Sequence, residues 1–164
     1  MTRAYVGLGA NLGDAASVVA RAITALGELG SVRASSLYRT EPLGDPGQDW
    51  YVNAVAALDT ELGARELLEG LRRLERRFGR TPGRPRWAPR EIDLDLLLFG
   101  DQICEEPDLV LPHRGLAERR FVLEPLTELE PRARDPRSGR TAADLLAGLD
   151  DPLRVEKLPA PTMR

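Results

Sequence analysis

The sequence predicts an α+β domain in which an antiparallel sheet carries helices packed mainly on one face. Three observations carry that expectation. Strand-like apolar runs occur at 5–8, 32–38, 51–58 and 92–99. Two segments, 15–29 and 62–78, repeat their apolar residues at helical spacing. Their order along the chain is strand, helix, strand, strand, helix, strand, which is the order of a two-layer α+β sandwich of ferredoxin-like type.

Each element has a local reason. Tyr5-Val6-Gly7-Leu8 reads as a buried strand, and the turn Asn11-Leu12-Gly13-Asp14 leads into a helix whose first turn is acidic. Val18, Val19, Ala22, Ile23 and Leu26 then recur on one helical stripe that Gly27 and Gly30 close. A second strand is expected over 32–38, a Gly/Pro-containing loop over 39–49, and an alternating third strand over 51–58. Leu67, Leu68, Leu71, Leu74 and Phe78 make the clearest apolar stripe, covered elsewhere by Arg and Glu and stopped by Gly79. After an Arg/Pro-rich loop comes the strand 92–99. The remainder is less regular: an extended segment at 109–113, one or two short helices over 119–129, and a helix at 141–149 opened by Thr141 and Asp144 in a capping arrangement. The last residues, about 159–164, read as a loose tail.

Size and composition bound the function. A chain of 164 residues suits one core, so residues 1–164 are expected to form a single domain. Apolar content of 42% with 30% charged residues fits a globular protein, and no stretch approaches the roughly eighteen apolar residues of a membrane span. The first apolar run is short for a secretory signal and Cys104 stands alone, which predicts a cytoplasmic protein without disulfides. A net charge of −3 argues against nucleic acid as a partner, so any anion site is local.

The place for such a site is the loop from Arg80 to Arg90, with Arg80, Arg84, Arg86 and Arg90, whose end Arg86-Trp87-Ala88-Pro89-Arg90-Glu91 runs into a strand with two acids, Ile92-Asp93-Leu94-Asp95. Side chains alternate along a strand, so Asp93 and Asp95 emerge on one face about 6–7 Å apart, opposite Ile92, Leu94 and Leu96. Two such acids can hold Mg²⁺, and neighbouring guanidinium groups can neutralise a polyphosphate. Taken alone, the pair reads equally well as an ordinary amphipathic edge. Arginine enrichment is also general here, since of the 23 Lys plus Arg residues only Lys157 is a lysine. Opposite charges adjoining in a loop with Pro82, Pro85, Pro89 and Trp87 favour a cover over a ligand.

Five ordered motifs carry a resemblance: Ala4 to Gly13, Tyr38-Arg39-Thr40-Glu41-Pro42-Leu43-Gly44 with Tyr51-Val52-Asn53-Ala54, Glu75 to Arg80, Arg86 to Gly100, and Leu111-Pro112-His113 to Leu126. The Trp-x-Pro-Arg-x-x-Asp-Leu-Asp run is the most specific. On these residues the chain resembles the 6-hydroxymethyl-7,8-dihydropterin pyrophosphokinases, enzymes of folate biosynthesis that move pyrophosphate from ATP to a pterin alcohol. The resemblance implies that Asp93 and Asp95 bind two Mg²⁺ ions and that Arg80 and Arg90 contact the transferring phosphates. It also implies an ATP site drawn from Glu75, Arg86, Trp87, Leu96, Val110, His113, Arg114 and Arg119, with adenine read by backbone near Leu96 and Val110. The family often has an aromatic or small residue where Arg114 stands. Either acid, or a metal alone, could deprotonate the hydroxyl.

A pterin is flat, with amide-like edges, and wants aromatic walls plus a few aimed hydrogen bonds. The resemblance assigns the walls to Tyr51 and Phe121, closure to Trp87, and the edge to Asn53, Thr40, Glu41 and Leu43. Tyr51 and Asn53 lie two apart on one strand and so share a face. The run Gly7-x-Gly9-x-x-x-Gly13 lacks the third glycine of a dinucleotide fingerprint, because Leu12 stands there, and reads as close backbone packing. The expected partners are therefore ATP and a reduced pterin, with no nucleic acid and no membrane, for a monomer. Two rivals share features with it. An RNA-binding module has the same layout but needs a Lys/Arg-Gly-Phe run that is missing. A metal-dependent phosphohydrolase could use the same acids and would release phosphate without a pterin.

Overall fold

The computed structural model describes residues 1–11, 14–41, 50–79 and 92–159. Its centre is an antiparallel sheet built from β1 (Thr2–Ala10), β2 (Ser31–Ala34), β3 (Tyr38–Thr40), β4 (Tyr51–Thr60), β5 (Asp93–Phe99) and β8 (Val155–Lys157). The strands run in the order β5-β1-β4-β3-β8, and β2 also pairs with β4. A separate hairpin joins β6 (Cys104–Glu106) to β7 (Leu109–Leu111). The helices are α1 (Ala15–Ala25), α2 (Ala64–Arg77), α3 (Arg120–Leu129) and α4 (Ala142–Ala147), with a 3₁₀ turn, Leu26–Glu28, closing α1. Among the described residues no helix is long and apolar enough to cross a membrane.

Alternation along the strands sorts the side chains into two cores. Ala4, Val6 and Leu8 of β1, Ala54, Ala56 and Leu58 of β4, and Leu94 and Leu96 of β5 pack with Val19, Ala22, Leu67 and Leu71 of α1 and α2. Tyr5, Val55, Ala57, Leu97 and Leu98 point the other way and pack with Val122, Leu123 and Leu126 of α3 and Leu145 of α4. Helices therefore cover both faces, not mainly one. The reason lies in β4, whose residues from Val52 to Leu58 are all buried, and in a register shift opposite Tyr5 and Val6 that turns both Leu97 and Leu98 toward α3.

The strand expected over 32–38 is divided. Ser35 donates its backbone N–H to Val55 O (2.8 Å), while its hydroxyl oxygen accepts the Val55 N–H (3.0 Å). A side chain thus replaces a ladder carbonyl, and the chain bends before β3 begins. Glu128 of α3 fastens the bend, accepting from the Ser36 hydroxyl (2.8 Å) and the Tyr38 hydroxyl (2.6 Å). Arg39 and Thr40, expected in the following loop, belong to β3. β8 lies in a stretch to which the sequence assigned no element, and it completes the sheet edge beside β3.

Helix ends follow their capping chemistry. Asp14 accepts from Ser17 N–H at the start of α1, and Thr141 accepts from Asp144 N–H at the start of α4, the arrangement its sequence announces. Glu66 reaches back to Gly63 N–H at α2.

Candidate active site

α3 covers the Tyr5 end of its sheet face and leaves the other end open as a cleft of about 430 Å³. The floor is a matter of register. Gly9 of β1 stands between Asp93 on β5 and Asn53 on β4, and Gly7 stands between Asp95 and Val55. The two acids and the Asn53 amide therefore rise on either side of a strip that has no side chains. Space is tight there: a Cβ on Gly9 would sit 2.9 Å from Asn53 Nδ2, and one on Gly7 would meet Leu97 at 3.4 Å. Glycine at 9 lets the Asn53 amide lie across the strand, which gives the glycine run its structural use.

Asn53 is buried and oriented. The Thr40 hydroxyl donates to Asn53 Oδ1 (2.8 Å), which turns the amide nitrogen toward Gly9 and the cleft. Tyr51, two residues earlier on β4, shares that face, and Phe121 enters from the first turn of α3. Arg119, the residue before α3, places its guanidinium carbon 5.8 Å from the Phe121 ring centre.

The acid side is completed from the segment after β7. A cis Leu111-Pro112 bond precedes His113, whose backbone N–H donates to Leu97 O (2.9 Å). The ring Nδ1 accepts from Gly115 N–H (3.0 Å), so in neutral His113 the proton sits on Nε2, 3.9 Å from Asp95 Oδ2. Burial pushes the imidazole below its usual range, Asp95 opposes this, and Arg119 and Arg72 add to the depression. Gly115 clears the way for Arg119, since a Cβ there would lie 2.6 Å from its Nε.

Behind the acids, Glu75 is 1% exposed and accepts the Leu94 N–H (2.9 Å). Arg72 donates to Glu75 (2.8 Å) and to Leu94 O (3.0 Å). One ion pair from α2 thus holds both backbone polar groups of Leu94, the residue between Asp93 and Asp95 on edge strand β5.

The structure brings Thr40, Glu41, Tyr51, Asn53, Asp93, Asp95, His113, Arg119 and Phe121 together around one cleft. It sets others apart from the lining. Glu75 lies under β5, Leu96 is buried in the α1/α2 core beside Leu94 because it precedes the register shift and keeps the alternation, Val110 sits in the β6/β7 hairpin, and Arg114 points to solvent. Leu43, Arg80, Arg84, Arg86, Trp87 and Arg90 lie outside the described residues. The cleft also takes in Glu118, Asp151 and Leu153, and the edge clamp takes in Arg72; Glu118 lies within the motif from Leu111 to Leu126, which assigns it no role, and the other three stand in no pattern that sequence reading could use. Among the described residues no three or more His, Cys, Asp or Glu side chains converge as a metal cage. Two carboxylates on one strand suit a cation that takes its other ligands from phosphate and water, the habit of Mg²⁺.

Comparison with known proteins decides the family. Residues 5–131 match the model of the 7,8-dihydro-6-hydroxymethylpterin-pyrophosphokinase (HPPK) family. The chain belongs to that family. Curated relatives named 2-amino-4-hydroxy-6-hydroxymethyldihydropteridine pyrophosphokinase include one from Methylorubrum extorquens, 46% identical over 96% of this chain and 99% of the relative. Another, from Pseudomonas aeruginosa, is 42% identical over 96% of this chain and 97% of its own. Among solved structures, a Plasmodium falciparum HPPK-DHPS chain crystallised with pteroate superposes at a TM-score of 0.71 and 14% identity, over 89% of this chain. The chain spans 42% of that longer protein, and the likeness speaks for the fold alone.

Proposed function

We propose that this HPPK family member transfers pyrophosphate from ATP to 6-hydroxymethyl-7,8-dihydropterin in folate biosynthesis, giving the pterin diphosphate and AMP. The observation that carries the reading is the cleft floor, where Asp93 and Asp95 face Asn53 and Tyr51 across Gly7 and Gly9. An anion-handling side and a flat-ring side adjoin there, as a reaction between a polyphosphate and a heteroaromatic alcohol requires.

On the ring side, Tyr51 and Phe121 supply aromatic surface and the Asn53 amide nitrogen supplies a donor whose direction Thr40 fixes. On the phosphate side, His113 presents Nε2–H and Arg119 a forked cation. Arg80, Arg86, Arg90 and Trp87 join them on the strength of the family motif. Asp93 and Asp95 would hold two Mg²⁺ ions, which when bound neutralise charge on the phosphates and template the two substrates. The pterin hydroxymethyl oxygen loses its proton to solvent and bonds to the β-phosphorus as the bond from that phosphorus to the α,β-bridging oxygen breaks, and AMP departs with the electron pair. The protein's contribution is then position and charge.

We further take the chain to be a single catalytic domain, monomeric and cytoplasmic, with a ferredoxin-like core. Strand order β5-β1-β4-β2 supports the core. The large apolar residues exposed among those described are Met1 and Ile103, far from a contiguous patch in number, which supports the monomer.

The test is incubation with ATP, Mg²⁺ and the reduced pterin alcohol, with chelator controls. AMP and pterin diphosphate are expected only with metal and pterin together. Formation of ADP would overturn the reading, and phosphate released without pterin would favour a phosphohydrolase.

A further inference from the structure

We infer that the segment 150–158, beyond the region that matches the family model, is a strap that builds the outer wall of the pterin half of the cleft, with Leu153 as a specificity-determining contact and Asp151 as its positioning residue. The inference rests on the proposed reaction. Leu153 and Asp151 both line the cleft, although α4 and a long connection separate them from every motif residue.

The strap is fastened at three points. Asp151 Oδ2 accepts the backbone N–H of Arg120 (3.0 Å) in the first turn of α3, and its Oδ1 accepts Leu153 N–H (3.0 Å). One carboxylate therefore fixes the position of Leu153 relative to the helix start that carries Phe121. Next, Arg154 N–H donates to Glu41 Oε1 (3.0 Å) and Glu41 N–H donates to Arg154 O (3.1 Å). Finally, β8 pairs with β3 in the register Thr40↔Val155 and Tyr38↔Lys157. Outside the cleft, Trp50 lies against Arg39 and Arg154, whose guanidinium groups both bond to Glu156.

These ties decide which half of the cleft the strap serves. Its partners are Thr40 and Glu41 at the end of β3 and the first turn of α3, the neighbours of Asn53 and Phe121. Asp93, Asp95 and His113 come from β5 and the segment after β7, which do not pair with it. An apolar side chain held between Glu41 and α3 suits the ring of a pterin better than a phosphate.

The experiment is steady-state kinetics on the full chain, varying pterin and ATP separately, with thermal midpoints recorded alongside. Wild-type production of AMP first establishes the reaction itself. Leu153→Ala is expected to raise KM for the pterin about tenfold while KM for ATP stays within about twofold. Asp151→Ala is expected to do the same, and Asp151→Asn, which keeps an acceptor for the helix N–H, to recover most of the loss. Leu153 is half-buried, so its truncation keeps the test usable if the Asp151 variants fold poorly. Equal rises in both KM values, or no rise in either for Leu153→Ala, would overturn the inference and leave the diphosphotransfer reading standing.

Discussion

Asp93 and Asp95 take their positions from the β-pleat and their company from cross-strand register. Their shared face was legible from spacing alone, because side-chain alternation in a strand needs no tertiary information. What stands opposite was not, since the pairing of Gly9 with both Asp93 and Asn53 depends on two ladders formed by residues distant in sequence. Both acids face the cleft and stay outside the apolar cores. Replacing either by Ala is therefore expected to lower kcat by at least about a thousandfold with the thermal midpoint nearly unchanged. Paired turnover and melting measurements check this, and wild-type turnover in either variant would remove that acid from the site.

Among the elements, β5 has the most exacting support. It is an edge strand whose Leu94 backbone is held by Glu75 and Arg72 of α2. The sequence placed Glu75 within a family motif but gave no sign that it works on the backbone, because nothing in an i to i+19 spacing marks a helix side chain as the cap of a strand edge. Glu75→Ala leaves a buried N–H without its acceptor and should cost about 1–3 kcal/mol. Glu75→Gln, which can still accept, should cost less. Denaturant unfolding of the two variants measures the difference, and equal stability of wild type and Glu75→Ala would rule out the clamp.

α3 carries a second polar anchor, Glu128. Burial pushes its carboxyl upward, but donors from Tyr38 and Ser36, with Lys157 nearby, outweigh this and hold it below the usual range. Tyr38 in turn is pushed well above the ordinary phenol range by burial and by Glu128, so it stays a donor at all working pH. With the folded carboxyl depressed, the unfolded chain binds more protons across the window. The anchor's contribution is then fully present above about pH 5 and is lost as pH falls through the depressed value. Glu128→Gln should flatten the acid side of the stability profile, read as unfolding free energy against pH. An unchanged acid slope would show that another group governs it.

For the molecule as a whole, composition and period gave the class of fold and the main alternation of elements, and the motif gave the family before any geometry was known. The second helical layer was missed for a physical reason. A strand buried on both faces, as β4 is, shows a continuous apolar run, which does not say what lies on either side, and the short helices α3 and α4 have too few turns for a decisive stripe. β8 escaped notice because three residues carry no period at all. α3 supplies Phe121 to the cleft, and the connection between α4 and β8 supplies Asp151 and Leu153, so the part of the fold least visible in sequence also shapes one wall of the cleft.

The central claim is that a two-phosphorus unit leaves ATP intact, attacked at its β-phosphorus above Asp93 and Asp95. Its most direct test follows separate isotopic labels on the β- and γ-phosphorus of ATP during turnover with Mg²⁺ and the pterin alcohol. Both labels should arrive in the pterin product in equal amount, with unlabelled AMP released. Retention of the β label in the nucleotide, with only the γ label transferred or freed, would contradict the account.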